Sequence, residues 1–398
     1  MGKHGKKQSV NHRRGKKSSY ILQDNEGGEI NDYPLNPPSA LSDSDRESQE
    51  EEEEEEEEDN QENDEGSEII AETDNALPSK FSLYQQSVQS PKGDISYLQK
   101  FFLMYVGGRA PLHLQEDFCG TALLSIEWLH GDARRTAVGL DLDIEALDWC
   151  LENNVNRIGP DIRSRISLFH GNVLQPLESK WVNFSPDEIL QKMTLGDNEG
   201  ESMDGTPSSC LEESAKADQD AKSLNDVQLP PRDIVCAFNY SCCCLHSRKE
   251  LILYFKHARN TLSRKGGIFV MDLYGGTSSE GVLRLQRRFP NFTYVWEQAE
   301  FDIIQRKTRI SLHYNLHKQQ RKIRHAFSYS WRLWSLPEVK DCLQEAGFRS
   351  VHFWIRSMPD SGQIRCTDGF SAGRDIKYEE ATSFQQQDSW NAYVVAVA

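Results

Sequence analysis

The stretch LHLQEDFCGTALLSIEWLHGDARRTAVGLDL, Leu112–Leu142, carries the pattern from which the rest of the chain is read. Leu112–Leu114 is a short apolar run that meets two carboxylates, Glu116 and Asp117. A tight turn follows at Phe118-Cys119-Gly120-Thr121, then a helical pattern from Ala122 to about His130. A second apolar run, Thr136–Leu140, ends on Asp141, 21 positions after Gly120. Strand, turn, helix, strand and acid in this order predict one right-handed βαβ unit. Such a turn lets backbone approach a nucleotide-like ligand, and helix N-terminal amides there favour carboxylate or phosphate. An acid at the end of the second strand can take both hydroxyls of a ribose.

Dinucleotide enzymes use GxGxxG at this place, and a turn with one glycine cannot supply it. EDFCGTA, Glu116–Ala122, instead resembles the first motif of the class I S-adenosylmethionine-dependent methyltransferases, in the form found in a poorly characterised bacterial and plant branch. Glu116 matches the motif's acid and Gly120 its central glycine; Phe118 and Ala122 stand where glycines are usual. The resemblance implies an α/β fold: a Rossmann-like seven-stranded mixed sheet, last strand antiparallel, helices on both faces, with an added antiparallel β cap. It implies S-adenosylmethionine as cofactor and methyl transfer as the activity. A core βαβ unit with an incidental acid is the plain alternative.

Charge divides the chain sharply. Residues 1–20 hold seven Lys/Arg and no acid, whereas residues 21–76 hold 23 Asp/Glu against one Arg, including a run of nine glutamates at Glu50–Glu58. Residues 178–231 carry twelve acids and four lysines. The chain as a whole is −17, so the remainder is mildly basic, and about 270 residues suffice for one large α/β core. Residues 1–80 are predicted to be a disordered basic and acidic tail, and 81–398 the methyltransferase domain, with a disordered acidic insertion at 178–231. Trp181–Met193 is the one place in the insertion where a short helix is expected. KKQSVNHRRGKK reads as a bipartite nuclear signal or an RNA-contacting arm, and equally as a solubilising start; the tail could engage import receptors or basic proteins. No apolar run is long enough to span a bilayer and no secretory pattern opens the chain, so an intracellular protein of cytoplasm or nucleus, away from membranes, is expected. The nine cysteines are then expected to be reduced.

Ile95, Leu98, Phe101, Phe102 and Tyr105 recur at helical spacing, with Asp94 as the expected N-cap. In the family this segment resembles a helix over the cofactor, which makes Tyr84 and Gln89 lid candidates; core packing is the other reading of Tyr84. Ile144–Asn154 is the next helix and Ile166–Phe169 the third strand, ending in Gly171-Asn172-Val173. By resemblance Asn172 and Val173 frame the adenine, with Leu142 beside Asp141; a turn asparagine is the plain reading of Asn172. Asp233–Phe238 is the fourth strand, with Asn239-Tyr240-Ser241 at its carboxyl end, where open α/β sheets bind ligands. Cys242-Cys243-Cys244 suits a tetrahedral metal poorly, and buried free thiols are expected; no metal is assigned.

Arg248–Leu262 is an amphipathic helix, and Ile268–Met271 a fifth strand running into Asp272 and Tyr274. Tyr294–Ile304, Thr308–His317 and Arg324–Trp334 alternate as strands and predict a β cap over about 290–335. There Tyr274, Trp331 and Arg332 are substrate candidates, Trp331 by stacking and Arg332 by holding a carboxylate, with a packing role the equal alternative for Trp331 and Arg332 and the expected role of Trp334. Leu336–Ala346, Val351–Ile355 and Trp390–Val397 supply the last helix and two last strands; residues 359–386 read as a loop. In the site so assembled, backbone at Phe118, Cys119 and Gly120 with Glu116 holds the methionine end, Asp141 the ribose, and Asn239, Tyr240 and Asp272 the reacting side. The acceptor is expected to be a small molecule first, with RNA or protein as further candidates. A non-catalytic adaptor acting through its charged tails, and a nicotinamide-dependent oxidoreductase, are the rival classes.

Overall fold

The fold is taken from a computed structural model that describes residues 77–182, 229–358 and 377–398. The tail, most of the acidic insertion with the expected Trp181–Met193 helix, and most of the 359–386 loop lie outside the described residues.

The order begins with two helices, α1 (Lys80–Ser87) and α2 (Pro91–Tyr105). There follow β1 (His113–Asp117), α3 (Leu123–His130), β2 (Thr136–Asp141), α4 (Ile144–Asn153), the short α5 (Pro160–Arg163), β3 (Ile166–His170) and β4 (Lys180–Trp181). After the acidic stretch come β5 (Ile234–Ala237), α6 (Arg248–Thr261) and β6 (Ile268–Gly275). Four antiparallel strands succeed them: β7 (Leu283–Arg288), β8 (Phe292–Gln298), β9 (Lys307–Leu316) and β10 (Arg321–Arg332). The chain ends with α7 (Leu336–Glu345), β11 (Ser350–Ser357), β12 (Glu379–Glu380) and β13 (Trp390–Val397).

The main sheet runs β12-β11-β13-β6-β5-β1-β2-β3-β4. β3, β2, β1, β5 and β6 are mutually parallel, and β13 inserts antiparallel between β6 and β11. The seven predicted strands are all present, with β4 and β12 as two-residue additions at the edges. The expected acidic insertion therefore begins too early: Glu178–Val182 is ordered, because β4 pairs with β3 and Val182 N–H donates to the Leu168 carbonyl.

Both faces of the sheet are buried, as parallel strands require. Val138 and Leu140, Val235 and Ala237, and Phe269 and Met271 face α6 and α7; their neighbours Ala137, Ile234, Cys236, Ile268 and Val270 face α2, α3 and α4. Leu98, Phe101 and Phe102 of α2 are fully buried, each worth roughly 1.5–3 kcal/mol on leaving water. Asp233 ties the two central strands at their base, accepting from Leu112 N and His113 N (2.6 and 3.1 Å) while pairing with Arg109 at 2.6 Å.

Two boundaries differ from expectation. α2 starts at Pro91, whose fixed φ suits a first turn, so Asp94 lies inside that turn and does not cap it. The antiparallel sheet starts at Leu283, before the expected 290, because β7 reads LRLQRR and its arginines hide the alternation.

Candidate functional site

The turn after β1 is built by close approach. A Cβ at Gly139 would lie 2.9 Å from Cys119 Sγ and 2.7 Å from Leu168 Cδ2, so only glycine lets the turn settle on β2. Cys119 N–H donates to the Leu140 carbonyl (3.1 Å) and Gly120 N–H to Asp141 Oδ2 (2.6 Å). Phe118, Gly120 and Ala122 have φ of +57, +50 and +50°. The two residues that replace the usual glycines thus adopt the left-handed backbone nonetheless, at roughly 1–2 kcal/mol each. Phe118 is held there by edge contact with Tyr254, whose hydroxyl donates to Asp117 Oδ2 at 3.0 Å.

Beyond the carboxyl ends of β1, β2, β5 and β6 lies a cavity of about 820 Å³. Phe118, Cys119, Gly120 and Thr121 line it together with Asp141 and Asp143 at the end of β2. Asn239, Tyr240 and Ser241 line it after β5, and Asp272 from β6. Tyr84 and Gln89 close one side, and Trp331 the cap side. The bend and the acid predicted to work together therefore face one space.

Asn239 and Tyr240 are consecutive left-handed residues, φ +58 and +59°. Such strain persists where surroundings over-determine it. Here Asp272 does so: its two oxygens accept from Asn239 N (3.0 Å) and Tyr240 N (2.8 Å). Burial raises the Asp272 carboxyl to about 8, against the opposing pull of those N–H donors. Burial likewise raises Asp141, against the N–H groups of Asp143 and Gly120.

Several predicted residues sit elsewhere. Glu116 is buried behind the turn, where one carboxylate oxygen accepts from Ser125 N (2.9 Å) and Ser125 Oγ (2.6 Å). It supplies the cap that Ala122 cannot give to α3, because odd and even positions of β1 face opposite sides of the sheet. Leu142 is 66% exposed and outside the lining. Asn172 spends its side-chain oxygen on Leu174 N (2.9 Å), a local turn, and Val173 is core. Tyr274 lies behind the lining, its hydroxyl donating to Gln298 Oε1 and its ring tilted against Tyr240. Arg332 cannot offer a carboxylate clamp: it pairs with Glu338 at 3.0 Å, donates to the His246 carbonyl and stacks on Trp334 at 3.6 Å. Trp334 packs as expected and donates to the Leu245 carbonyl. Of the three adjacent cysteines, Cys242 and Cys243 are buried, but Cys244 is exposed and lines the cavity.

The sequence reading missed Asp94, Arg287, Tyr294, Phe327, Tyr329 and Arg356 among the lining residues. Asp94 accepts from the Tyr393 hydroxyl and burial raises it to about 6. The alternation Phe327, Tyr329, Trp331 was a usable signal, since period two places all three on one face of β10.

Glu116 makes a pH prediction. Burial raises its carboxyl from 4.5 to about 8, Ser125 opposing. Between those values the folded chain binds the extra proton, so this group's contribution is fully present below about 4.5 and is lost as pH rises through 8. The slope for one group is at most about 1.4 kcal/mol per pH unit. Urea unfolding at pH 5.5 and 7.5 is expected to show the parent less stable at 7.5, and Glu116→Gln to narrow the gap by on the order of 2 kcal/mol. An unchanged gap in Glu116→Gln would refute the assignment.

No protein-family model matches the chain, and no curated protein does. Solved structures do match. An S-adenosylmethionine-dependent methyltransferase from Clostridium acetobutylicum is 12% identical with a TM-score of 0.42, covering 79% of this chain and 96% of that one. The CcbJ methyltransferase from Streptomyces caelestis is 13% identical with a TM-score of 0.45, covering 79% and 95%. CalS10, an amino pentose methyltransferase from Micromonospora echinaspora, is 12% identical with a TM-score of 0.44, covering 81% and 98%. The fold is a Rossmann-like α/β sheet closed by an antiparallel strand, as its own strand order states. Among the described residues no helix is long and apolar enough to cross a membrane, and no group of three or more His, Cys, Asp or Glu could hold a metal ion.

Proposed function

We propose that this chain transfers a methyl group from S-adenosylmethionine to a small acceptor bound in the same cavity. One observation carries the reading: the tight turn after β1 and Asp141 at the end of β2 face one space. The lining fits such a cofactor. Asp94, Asp141, Asp143 and Asp272 line the cavity with carboxyl groups and Tyr84, Phe118, Phe238 and Tyr240 with aromatic rings, a setting that suits a cation.

Backbone at Cys119 and Gly120 would hold the methionine end. Asp141 already accepts from Gly120 N and Asp143 N, and a carboxylate has about four lone-pair sites, which leaves room for ribose hydroxyls. The bound cofactor supplies a methyl already activated on sulfonium. The remaining task of the chain is to place the acceptor in line, and positioning of this kind can supply roughly 7–11 kcal/mol. Asn239 and Tyr240, aimed by Asp272, and Trp331 from β10 would line the acceptor side. A nicotinamide dinucleotide fits less well, since the turn offers a single glycine.

Thermal-shift measurements with S-adenosylmethionine, S-adenosylhomocysteine and NAD test this. The first two are expected to stabilise the chain, by about 2.7 kcal/mol at one hundred times the dissociation constant. Stabilisation by NAD alone would overturn the reading, and none by any of the three would favour a non-catalytic adaptor.

A further inference from the structure

The cavity extends well past the turn. Along the sheet, β1 is followed by β5, β6, β13 and β11, so with strands ~4.8 Å apart the β11 end lies roughly 19 Å from β1. Arg356, near the end of β11, lines the cavity there. Its guanidinium lies over the Tyr378 ring at 4.9 Å. The Asn391 amide, turned so that its oxygen meets the donors, accepts from Arg356 Nη2 at 3.2 Å and from the Tyr240 hydroxyl at 3.1 Å. Arg356 Nε is buried with no hydrogen-bond partner, and among the described residues no carboxylate lies within 4.0 Å of this guanidinium. Asp94, the acid whose charge it feels, is already engaged by Tyr393. A partly buried cation with unspent donors is costly unless an anion completes it.

The roof of the same cavity is aromatic. Phe327, Tyr329 and Trp331 follow one another on one face of β10, with interplanar angles of 4 and 24° between successive rings. With centroids 6.5 and 5.6 Å apart, the successive rings make a stacked aromatic surface against which a planar molecule can pack. Trp331 is in edge contact with Tyr240, which joins this surface to Asn391 and Arg356.

We propose that the methyl acceptor is a planar aromatic acid, its ring against the β10 face and its carboxylate or phosphate on Arg356. This rests on the methyl-transfer reading and names its substrate class. The planar fork of arginine matches either anion through paired N–H donors, and Asn391 orients that fork. The neutral amide of the same ring leaves the guanidinium unpaired and binds more weakly.

Calorimetry with 4-hydroxybenzoate, phenyl phosphate and 4-hydroxybenzamide tests the proposal, on the full chain with and without saturating S-adenosylhomocysteine. At least one anion is expected to bind 10-fold or more tighter than the amide, and the tighter anion identifies the group. Arg356→Gln is expected to abolish the preference, and Arg356→Lys to restore part of it, while the affinity for S-adenosylhomocysteine stays within about 2-fold. Equal affinities for acids and amide in the parent, no binding of any probe, or an unchanged preference in Arg356→Gln overturns the proposal. If S-adenosylhomocysteine binds in those cases, the methyl-transfer reading survives. Failure of S-adenosylhomocysteine to bind would instead sink that reading, and the acid preference is then judged on the ligand-free chain.

Discussion

Asp141→Ala is expected to weaken S-adenosylmethionine binding by about 10- to 150-fold, the equivalent of roughly 1.5–3 kcal/mol for a hydrogen bond to a charged group. Two losses combine. The ribose contact proposed for the carboxylate goes, and Gly120 N–H, now 2.6 Å from Asp141 Oδ2, loses the partner that latches the turn to β2. Asp143 N–H, 2.8 Å from the other oxygen, is released as well, which loosens the start of α4. Asp141→Asn keeps one acceptor oxygen and is expected to fall between parent and alanine. Titration calorimetry decides the matter: parent-like affinity in Asp141→Ala would show that this acid does not hold the ligand.

Asp272 is expected to separate binding from transfer. Its oxygens hold two consecutive left-handed residues, so Asp272→Ala frees two part-buried N–H groups at roughly 1–3 kcal/mol each. The Asn239–Tyr240 bend should relax, moving Tyr240 and, through Asn391, the acceptor side. Misplacement of about 1 Å can cost 10²-fold in rate. Label transfer from S-adenosylmethionine into fractionated cell extract should therefore fall about 100-fold, with cofactor affinity within about 3-fold of the parent. Asp272→Asn keeps one N–H acceptor and guards against a chain that does not fold. An unchanged transfer rate in Asp272→Asn, together with parent stability, would show that the bend has no part in the reaction.

The local pattern of Leu112–Leu142 was legible because each signal in it is short-range. Period two in the strands, the apolar run of α3 and a glycine where φ is positive depend on neighbours within a few residues. The closing strand Trp390–Val397 was equally plain, since six consecutive buried residues demand cover on both faces. β7 is hard to read because the alternation of Leu283 and Leu285 is short and arginines occupy most of the remaining positions of this edge strand.

Which side chains reach the cavity was a different matter. Glu116 and Asp141 lie on one face of the sheet near the ends of neighbouring strands, yet one turns back to cap α3 and the other latches Gly120, a difference set by the segment that packs over each. Arg332 and Arg356 are alike as residues, but Glu338 and Trp334 engage the first, while Asn391 turns the second toward the cavity. Sequence spacing settles the order of elements and the alternation within them. The partner that each polar group finds comes from segments tens to hundreds of residues away, and only packing brings those together.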